Sequence, residues 1–429
     1  MSMQTGLSFE QAPPFALPLR FFLTAPLYLL AAAGLIVLAP AALASRWTPP
    51  ALALTHALTL GFLAMTMLGA LLQMLPVVAG AALPASRGVA RSTHFLLAAG
   101  TAALMAGFLG AGAHALAAAM ILLGCGFAVF LAATAIGLRR AVASATVTGM
   151  RLAAISLGLT LILGIALATM RAGWWTPVKD EIFIAAHVVF GLFGWVLLLV
   201  IGVAYQVVPM FQITPPYPPR LMRWLAGVML GLLLLRTMAP LLPAAAGIAL
   251  FAESGLAAGG LAFALVTLRL QSRRRRKLPD VTLDFWRVGM ASLIACVAVW
   301  LLARLWPAWA GSDAYPLLLG VLFIGGFAVS VVCGMLYKIV PFLAWFHLQA
   351  QLQARAGSIP TMKDMIAERA RRWQFRLHLG TCMLLVAATF WPALLAVPAG
   401  TTLALSALLL ELNLLSAVRR FSRHGGRFS

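Results

Sequence analysis

The sequence is poor in charged residues: Asp, Glu, Lys and Arg make up only 10% of its 429 residues, whereas 63% are apolar. A soluble domain has about a quarter charged and about half apolar residues, so a soluble fold could not cover this much apolar surface. Only ten residues are acidic. No carboxylate pair, nucleophile triad or phosphate loop is present, so hydrolysis or phosphoryl transfer of the soluble type has no support.

Cysteine is also scarce. The chain has four cysteines, all of them in apolar segments and none in a C-x-x-C pair: Cys125, Cys296, Cys333 and Cys382. We interpret them as small buried apolar residues, because neither a disulfide framework nor a zinc motif can be built from this spacing.

What the sequence has in abundance is apolar runs of about 20 residues, the length that spans a bilayer as a helix. They predict an all-α, polytopic membrane protein with about twelve transmembrane helices in a single membrane domain, residues 1–429. The predicted helices are 20–43, 51–79, 93–113, 115–138, 150–171, 182–210, 221–243, 245–269, 284–306, 315–345, 374–395 and 398–418.

The net charge of +21 is distributed unevenly over this topology. Of the 31 Lys and Arg residues, 25 fall on the side that holds the N-terminus, the even-to-odd loops and the C-terminus. Only Arg46, Arg171, Lys179 and Arg304 fall on the opposite side. The positive-inside rule therefore predicts a multi-pass protein of the bacterial inner (plasma) membrane with both termini in the cytoplasm. The basic runs are expected to face anionic lipid headgroups, and we expect no nucleic-acid partner.

A motif recurs in the second helix of each group of four: Gly, then Gln or Lys four residues later, then Pro three residues later. Its three copies are Gly69–Gln73–Pro76, Gly202–Gln206–Pro209 and Gly334–Lys338–Pro341. The glycines are expected to allow close helix contact, and the prolines to end each helix at the cytoplasmic edge. The spacing predicts three four-helix repeat units, roughly 20–140, 150–270 and 284–418.

Lys338 replaces the glutamine of the other two copies. A dry, unpaired ammonium in a membrane costs several kcal/mol. It either snorkels to the interface or takes part in proton or ligand handling. We expect Lys338 to point inward and bond to Gln73 and Gln206, with Tyr205 and Tyr337 nearby. These five residues would form a polar path that closes the cytoplasmic side of a cavity.

Two of the seven histidines stand out by depth. His56 lies 13 residues before Gly69 and His187 lies 15 before Gly202, which places both in the outer leaflet on repeat-equivalent helices. The third unit offers only Leu319 and Val321 there. Such a pair is either a set of satisfied core histidines or a ligand pair for haem iron or copper. His114, at the periplasmic turn of helices 3 and 4, is a third metal-ligand candidate.

Twelve helices in three groups of four, with a His on helix 2 near the periplasm, resemble the heme-copper oxidase subunit I superfamily. The segment from His56 to Phe62, followed by Gly69 and Pro76, looks like the helix-2 motif of the NnrS family, a haem- and copper-containing branch linked to nitric oxide. The opening Pro18-Leu-Arg20-Phe21-Phe22 also looks like the start of that family. The resemblance implies a b-type haem or copper, with a cytochrome or other respiratory subunit as partner.

The sequence departs from that pattern in its ligands. Helix 7 lacks the oxidase histidine pair, and helix 10 has only His347, at the wrong end. Leu54 and Ala57 occupy the positions of the His and Glu that flank the helix-2 His in the NnrS family. A complete haem–copper binuclear centre is therefore not expected; the inventory fits one haem or one metal.

Three functions remain open from the sequence. The first is a haem- or copper-binding oxidase relative that senses or detoxifies nitric oxide, moves electrons or handles metal. The second is a cofactor-free transporter or channel using intramembrane charges, whose candidates are Arg236, Glu253, Lys338 and Glu411. The third is an assembly subunit of a respiratory complex without a site of its own.

Overall fold

The computed structural model describes residues 13–177, 179–275, 278–352 and 359–428, and within these ranges the regular structure is helical with no β-strand. The all-α prediction is confirmed, and each predicted helix overlaps one that is observed. We number the long helices as follows: α1 Ala16–Leu38, α2 Pro49–Ala79, α3 Ser86–Ala106, α4 Gly112–Arg140, α5 Ala145–Arg171, α6 Asp180–Gln212, α7 Pro219–Met238, α8 Ala245–Ser272, α9 Val281–Leu305, α10 Ala314–Leu352, α11 Glu368–Ala388 and α12 Pro392–Arg423.

Within the described residues, ten helical segments are long and apolar enough to cross a membrane. One of them, Ser86–Arg140, contains both α3 and α4, which meet at a π-helical segment, Gly107–Ala111. Gly110 has a φ of +110° there, a backbone conformation that a residue with a side chain rarely adopts. The charged helix α11 is not among the ten. The chain is thus a multi-pass membrane protein by helix length and composition.

Helices α2, α6 and α10 lie innermost. Their most apolar windows are 89%, 56% and 67% buried, against 22–44% for the other segments of this kind. Each contains one π-helical stretch, at Ala57–Ala64, Phe190–Leu197 and Val321–Val329 respectively. π-helical stretches are rare and often occur at functional sites, so these three helices are where a candidate site is sought.

The expectation that proline ends these helices is wrong. Pro76, Pro209 and Pro341 all lie inside helices, which continue to Ala79, Gln212 and Leu352. Proline removes one main-chain donor, but helix-breaking residues are tolerated in membrane helices where neighbouring helices and local adjustment re-satisfy the freed main-chain groups.

Glycine sets the approach of each inner helix to the first helix of its own group of four. A methyl group on Gly69 would lie 2.7 Å from Phe21, and one on Gly334 would lie 2.9 Å from Phe285. In the middle group the contact is between main chains, since a methyl group on Gly202 would lie 2.9 Å from the Cα atom of Gly149. The recurring glycine therefore lets helices approach at distances that a Cβ atom would prevent.

The first and last long helices pack against each other, so the helices form a closed bundle. Gly400 of α12 lies against α1, where a methyl group would come within 2.8 Å of Val37. At the ends of the chain, the ring of Phe15 lies 5.2 Å from that of Phe421 and 6.0 Å from that of Phe428. The two ends of the described chain are therefore in direct contact.

Candidate functional site

His56 and His187 lie beside the π-helical stretches of two inner helices. His56 is the last residue before the stretch Ala57–Ala64 in α2, and His187 precedes the stretch Phe190–Leu197 in α6 by three residues. Because π-helical geometry places more residues in each turn, it changes the direction in which the flanking side chains point.

The structure brings the two imidazoles together. Their ring centroids are 6.2 Å apart and their planes are within 23° of parallel. The rings are half-buried, and the neighbouring Phe108 ring lies 5.1 Å from that of His56. Both histidines were expected at the same depth, and their rings are neighbours in the structure.

Each imidazole is oriented by a main-chain carbonyl. His56 Nδ1 lies 2.8 Å from the oxygen of Leu52, in its own helix, and His187 Nδ1 lies 3.1 Å from the oxygen of Thr160, in α5. A carbonyl oxygen only accepts, so each Nδ1 carries a hydrogen, and in the neutral ring Nε2 keeps its lone pair. Carbonyl-oriented, neutral imidazoles with a free Nε2 are the form in which histidine binds metals.

Helix α5 supplies a part of this site that the sequence reasoning missed. A methyl group on Gly164 would lie 3.0 Å from Cε1 and 3.4 Å from Nδ1 of His187. Thr160 and Gly164 are four residues apart and so lie on one face of α5. They fix the ring of His187 from behind, one through a hydrogen bond and the other by lacking a side chain. Neither residue type binds metals through its side chain in such sites, so no sequence motif pointed to them.

The pair offers two nitrogen ligands. Among the described residues, no group of three His, Cys, Asp or Glu side chains is placed to hold a metal ion. His114 lies exposed near the start of α4, so a three-ligand site that includes it has no geometric support. Two nitrogens suit a group that brings its own equatorial ligands, as haem does, or a soft ion of low coordination number such as Cu(I).

The five residues expected to form a polar path do not bond to one another in the structure. The predicted partners of Lys338, Gln73 and Gln206, were wrong. The Nζ atom of Lys338 bonds instead to Oδ2 of Asp280 at 2.8 Å. Asp280 also caps the start of α9 by accepting from the main-chain nitrogen of Thr282. The loop acid that starts α9 is therefore the counter-ion, and Lys338 belongs to a helix-to-helix ion pair.

The other members of the expected path are also separately placed. The Tyr337 hydroxyl accepts from Nδ2 of Asn413 at 2.9 Å, while the Tyr205 hydroxyl donates to the oxygen of Leu221 at 3.5 Å. Gln206 is half-buried on α6. Gln73 is buried, and its Oε1 has no hydrogen-bond partner.

We expect Lys338→Met and Asp280→Asn each to lower the free energy of unfolding by about 1–3 kcal/mol, because each leaves one partner of a poorly exposed ion pair alone. The double variant should lose less than the sum of the two, because it leaves no unpaired charge. Thermal unfolding of the three purified variants in detergent measures this coupling. Strictly additive losses would show that the two residues act independently.

Some of the intramembrane charged residues named as transport candidates form ion pairs with neighbouring residues. Glu253 of α8 accepts a hydrogen bond from Nε of Arg236 at 2.7 Å and also pairs with Arg304 of α9. This cluster links α7, α8 and α9. Glu411 of α12 differs, because its Oε2 is buried without a hydrogen-bond partner.

No protein-family model and no curated protein matches this chain. The likeness to the oxidase superfamily and to the NnrS family therefore rests on the sequence motifs and remains an expectation.

Proposed function

We propose that this chain is an inner-membrane protein that holds one haem or one copper ion between His56 and His187. It would be an oxidase subunit I relative of the NnrS type that lacks a complete haem–copper centre. The observation that carries the proposal is the pair of half-buried imidazoles, each bonded through Nδ1 to a carbonyl and each with Nε2 free.

The two rings are close enough to serve one bound group. Their centroids are 6.2 Å apart and their planes are within 23° of parallel. His56 and His187 would hold a haem or a copper ion through Nε2, because Nδ1 of each ring is bonded to a carbonyl oxygen.

The number of protein ligands, two, limits the reactions that a bound haem or copper ion could support. A haem held by both histidines would supply one-electron transfer. A copper ion on two imidazoles would suit metal handling. In either case, His56 and His187 bind the group, and Thr160 and Leu52 orient the two rings. A cytochrome or another respiratory subunit is the partner that electron transfer would require.

An optical spectrum of the purified protein, oxidised in air and then reduced with dithionite, tests the proposal. Haem gives a Soret band that shifts and an α band that sharpens on reduction. Total copper, measured on the same sample by mass spectrometry, tests the second option. Protein produced with both haem and copper supplied, but containing neither, would contradict the proposal.

A cofactor-free transporter is the alternative function, and the observation that favours it is Glu411, whose buried carboxyl oxygen has no partner. Unpaired carboxyl groups within membrane helices are typical of proton-coupled transport. A protein without haem or copper that moves protons in vesicles, and loses this activity in the Glu411→Gln variant, would support the transporter.

We further propose that the chain has twelve spans arranged as three four-helix units. The ten apolar segments become twelve when Ser86–Arg140 is divided at its kink and α11 is added. Support for the units comes from a second spacing. Gly61, Gly194 and Gly326 each precede the motif glycine by eight residues and are each followed by a buried aromatic residue. A methyl group on these glycines would meet, respectively, Tyr28, Ser156 and Ser292.

The orientation follows from the charge distribution, with both termini in the cytoplasm. Alkaline phosphatase fused after Arg46 or after Trp175 is expected to be active, because the enzyme folds only in the periplasm. Fusions after Arg275 or Arg371 are expected to be inactive. Immunoblots that show equal amounts of the four fusion proteins serve as the control. The opposite activity pattern would show that the protein has the reverse orientation, with the histidine pair in the cytoplasmic leaflet.

A further inference from the structure

An apolar cleft lies between the three inner helices α2, α6 and α10, in the halves of these helices that follow the π-helical stretches. Its cavity volume is about 60 Å³, and the cleft is open on one side. Each helix contributes one methionine to the lining: Met74, Met210 and Met335. Methionine side chains are flexible and adapt to ligands of different shape.

Gln73 is the only polar side chain among the residues that line the cleft. The side chain is 8% exposed, and its Oε1 has no hydrogen-bond partner within the described residues. A buried amide oxygen without a partner costs free energy, and such groups in a pocket are where a ligand gains affinity by supplying the missing donor.

The residues at the equivalent positions of the other two helices do not share this property. Gln206 of α6 does not belong to the lining, and Lys338 of α10 is bonded to Asp280. No charged side chain lines the cleft. An anion or a cation would therefore lose its hydration without a compensating charge, so the occupant has to be neutral.

We infer that the cleft binds a neutral, apolar molecule that carries a hydroxyl group, and that the hydroxyl donates to Oε1 of Gln73. The apolar body would lie against the methionines and neighbouring aliphatic side chains. Two kinds of membrane-soluble molecule have this chemistry: phenols with an alkyl chain, which include hydroquinones, and aliphatic alcohols, which include partly acylated glycerols. The inference is independent of the histidine pair and of any cofactor.

Two matched pairs of probes test the inference: nonylphenol and dodecanol, each compared with its own methyl ether. The ether keeps the apolar body but has no donor. We expect the hydroxyl member of the preferred pair to bind about tenfold more tightly than its ether, as measured by calorimetry on the purified protein in detergent. The pair that shows this difference identifies the phenolic or the aliphatic source.

The variant Gln73→Leu should abolish the difference between hydroxyl and ether while keeping the apolar contacts. Gln206→Leu is the matched control, since it removes the same side chain from the repeat-equivalent helix outside the cleft, and it should keep the tenfold preference. Partition into micelles is the same for all these proteins, so differences between them report the site.

A second variant tests the cleft at another position, in case Gln73→Leu fails to fold. Met210 lines the cleft but is 38% exposed, so Met210→Trp is expected to fold and to weaken binding of both members of a pair by filling space. His56→Ala should bind the probes as the unmodified protein does, which separates this inference from the cofactor proposal. If no probe binds, if ethers bind as tightly as hydroxyls, or if Gln73→Leu keeps the preference, the inference is overturned.

Discussion

The His187→Ala protein is expected to contain no haem or copper, or to show a spectrum with an altered Soret band, because one of only two available ligands is removed. The substitution would leave one imidazole to hold the group. Among the described residues, no third His, Cys, Asp or Glu forms a metal-binding group with the pair, so none of these side chains is placed to replace it. His56→Ala should have the same effect, measured as cofactor per protein and as the position of the reduced bands.

The controls are chosen so that a folding defect can be recognised. His424 is exposed in the C-terminal segment, and His424→Ala should leave cofactor content unchanged. Gly164→Ala is a finer test, because its methyl group would lie 3.0 Å from Cε1 of His187 and would displace the ring without removing it. Gly158→Ala, on the same helix with its nearest neighbour at 3.8 Å, is its matched control.

We expect Gly164→Ala to lower cofactor content or to shift the bands, and Gly158→Ala to do neither. A protein that retains full cofactor after His187→Ala would show that the ligands lie elsewhere. In that case the two imidazoles are core histidines satisfied by Leu52 and Thr160.

A second large effect is expected at the crossing of α5 and α6. Gly149→Ala and Gly202→Ala should each destabilise the protein by about 3 kcal/mol or more, at the upper end of what overpacking costs. The added methyl group meets main-chain atoms: for Gly149→Ala the Cα of Gly202 at 2.6 Å, and for Gly202→Ala the Cα of Gly149 at 2.9 Å. Main-chain atoms cannot turn away as a side chain can, so the helices have to separate.

Thermal unfolding in detergent measures this effect, with size-exclusion chromatography of the heated samples used to quantify the folded fraction. Gly158→Ala on α5 and Gly227→Ala on α7 are controls: at Gly227 nothing lies within 4 Å of the added methyl group. Both should be neutral or more stable by up to about 1 kcal/mol, because alanine favours the helix over glycine. If Gly202→Ala unfolds at the same temperature as these controls, the close main-chain contact does not contribute to stability.

Much of this architecture could be predicted from the sequence because membrane helices have a strong and local signal. The helix ends were less accurate. The third helix was expected at 93–113 but spans Ser86–Ala106, since its first turns are polar and basic and so do not appear in an apolar run. Its end is set by the kink at Gly110, a conformational property that hydropathy does not report.

Only part of the candidate site could be predicted from the sequence. The shared depth of His56 and His187 could be predicted by counting residues along two helices. The contact of His187 with the carbonyl of Thr160 could not be predicted, because every residue has a carbonyl and only the packing of the helices selects this one. Asp280 was missed as the partner of Lys338 for a related reason. It lies 58 residues earlier in the chain, in the segment before α9, whereas the partners expected for Lys338 were residues at equivalent depth.

The contact between the first and last helices has a consequence for chain connectivity. Phe15 and Phe421 are in contact, so the two ends of the described chain lie side by side. A short linker could join them, and new termini could then be opened in the exposed connection between α4 and α5, residues 141–144. Such a circular permutant keeps every helix contact described above. The order in which the helices are made is therefore separable from the arrangement in which they pack.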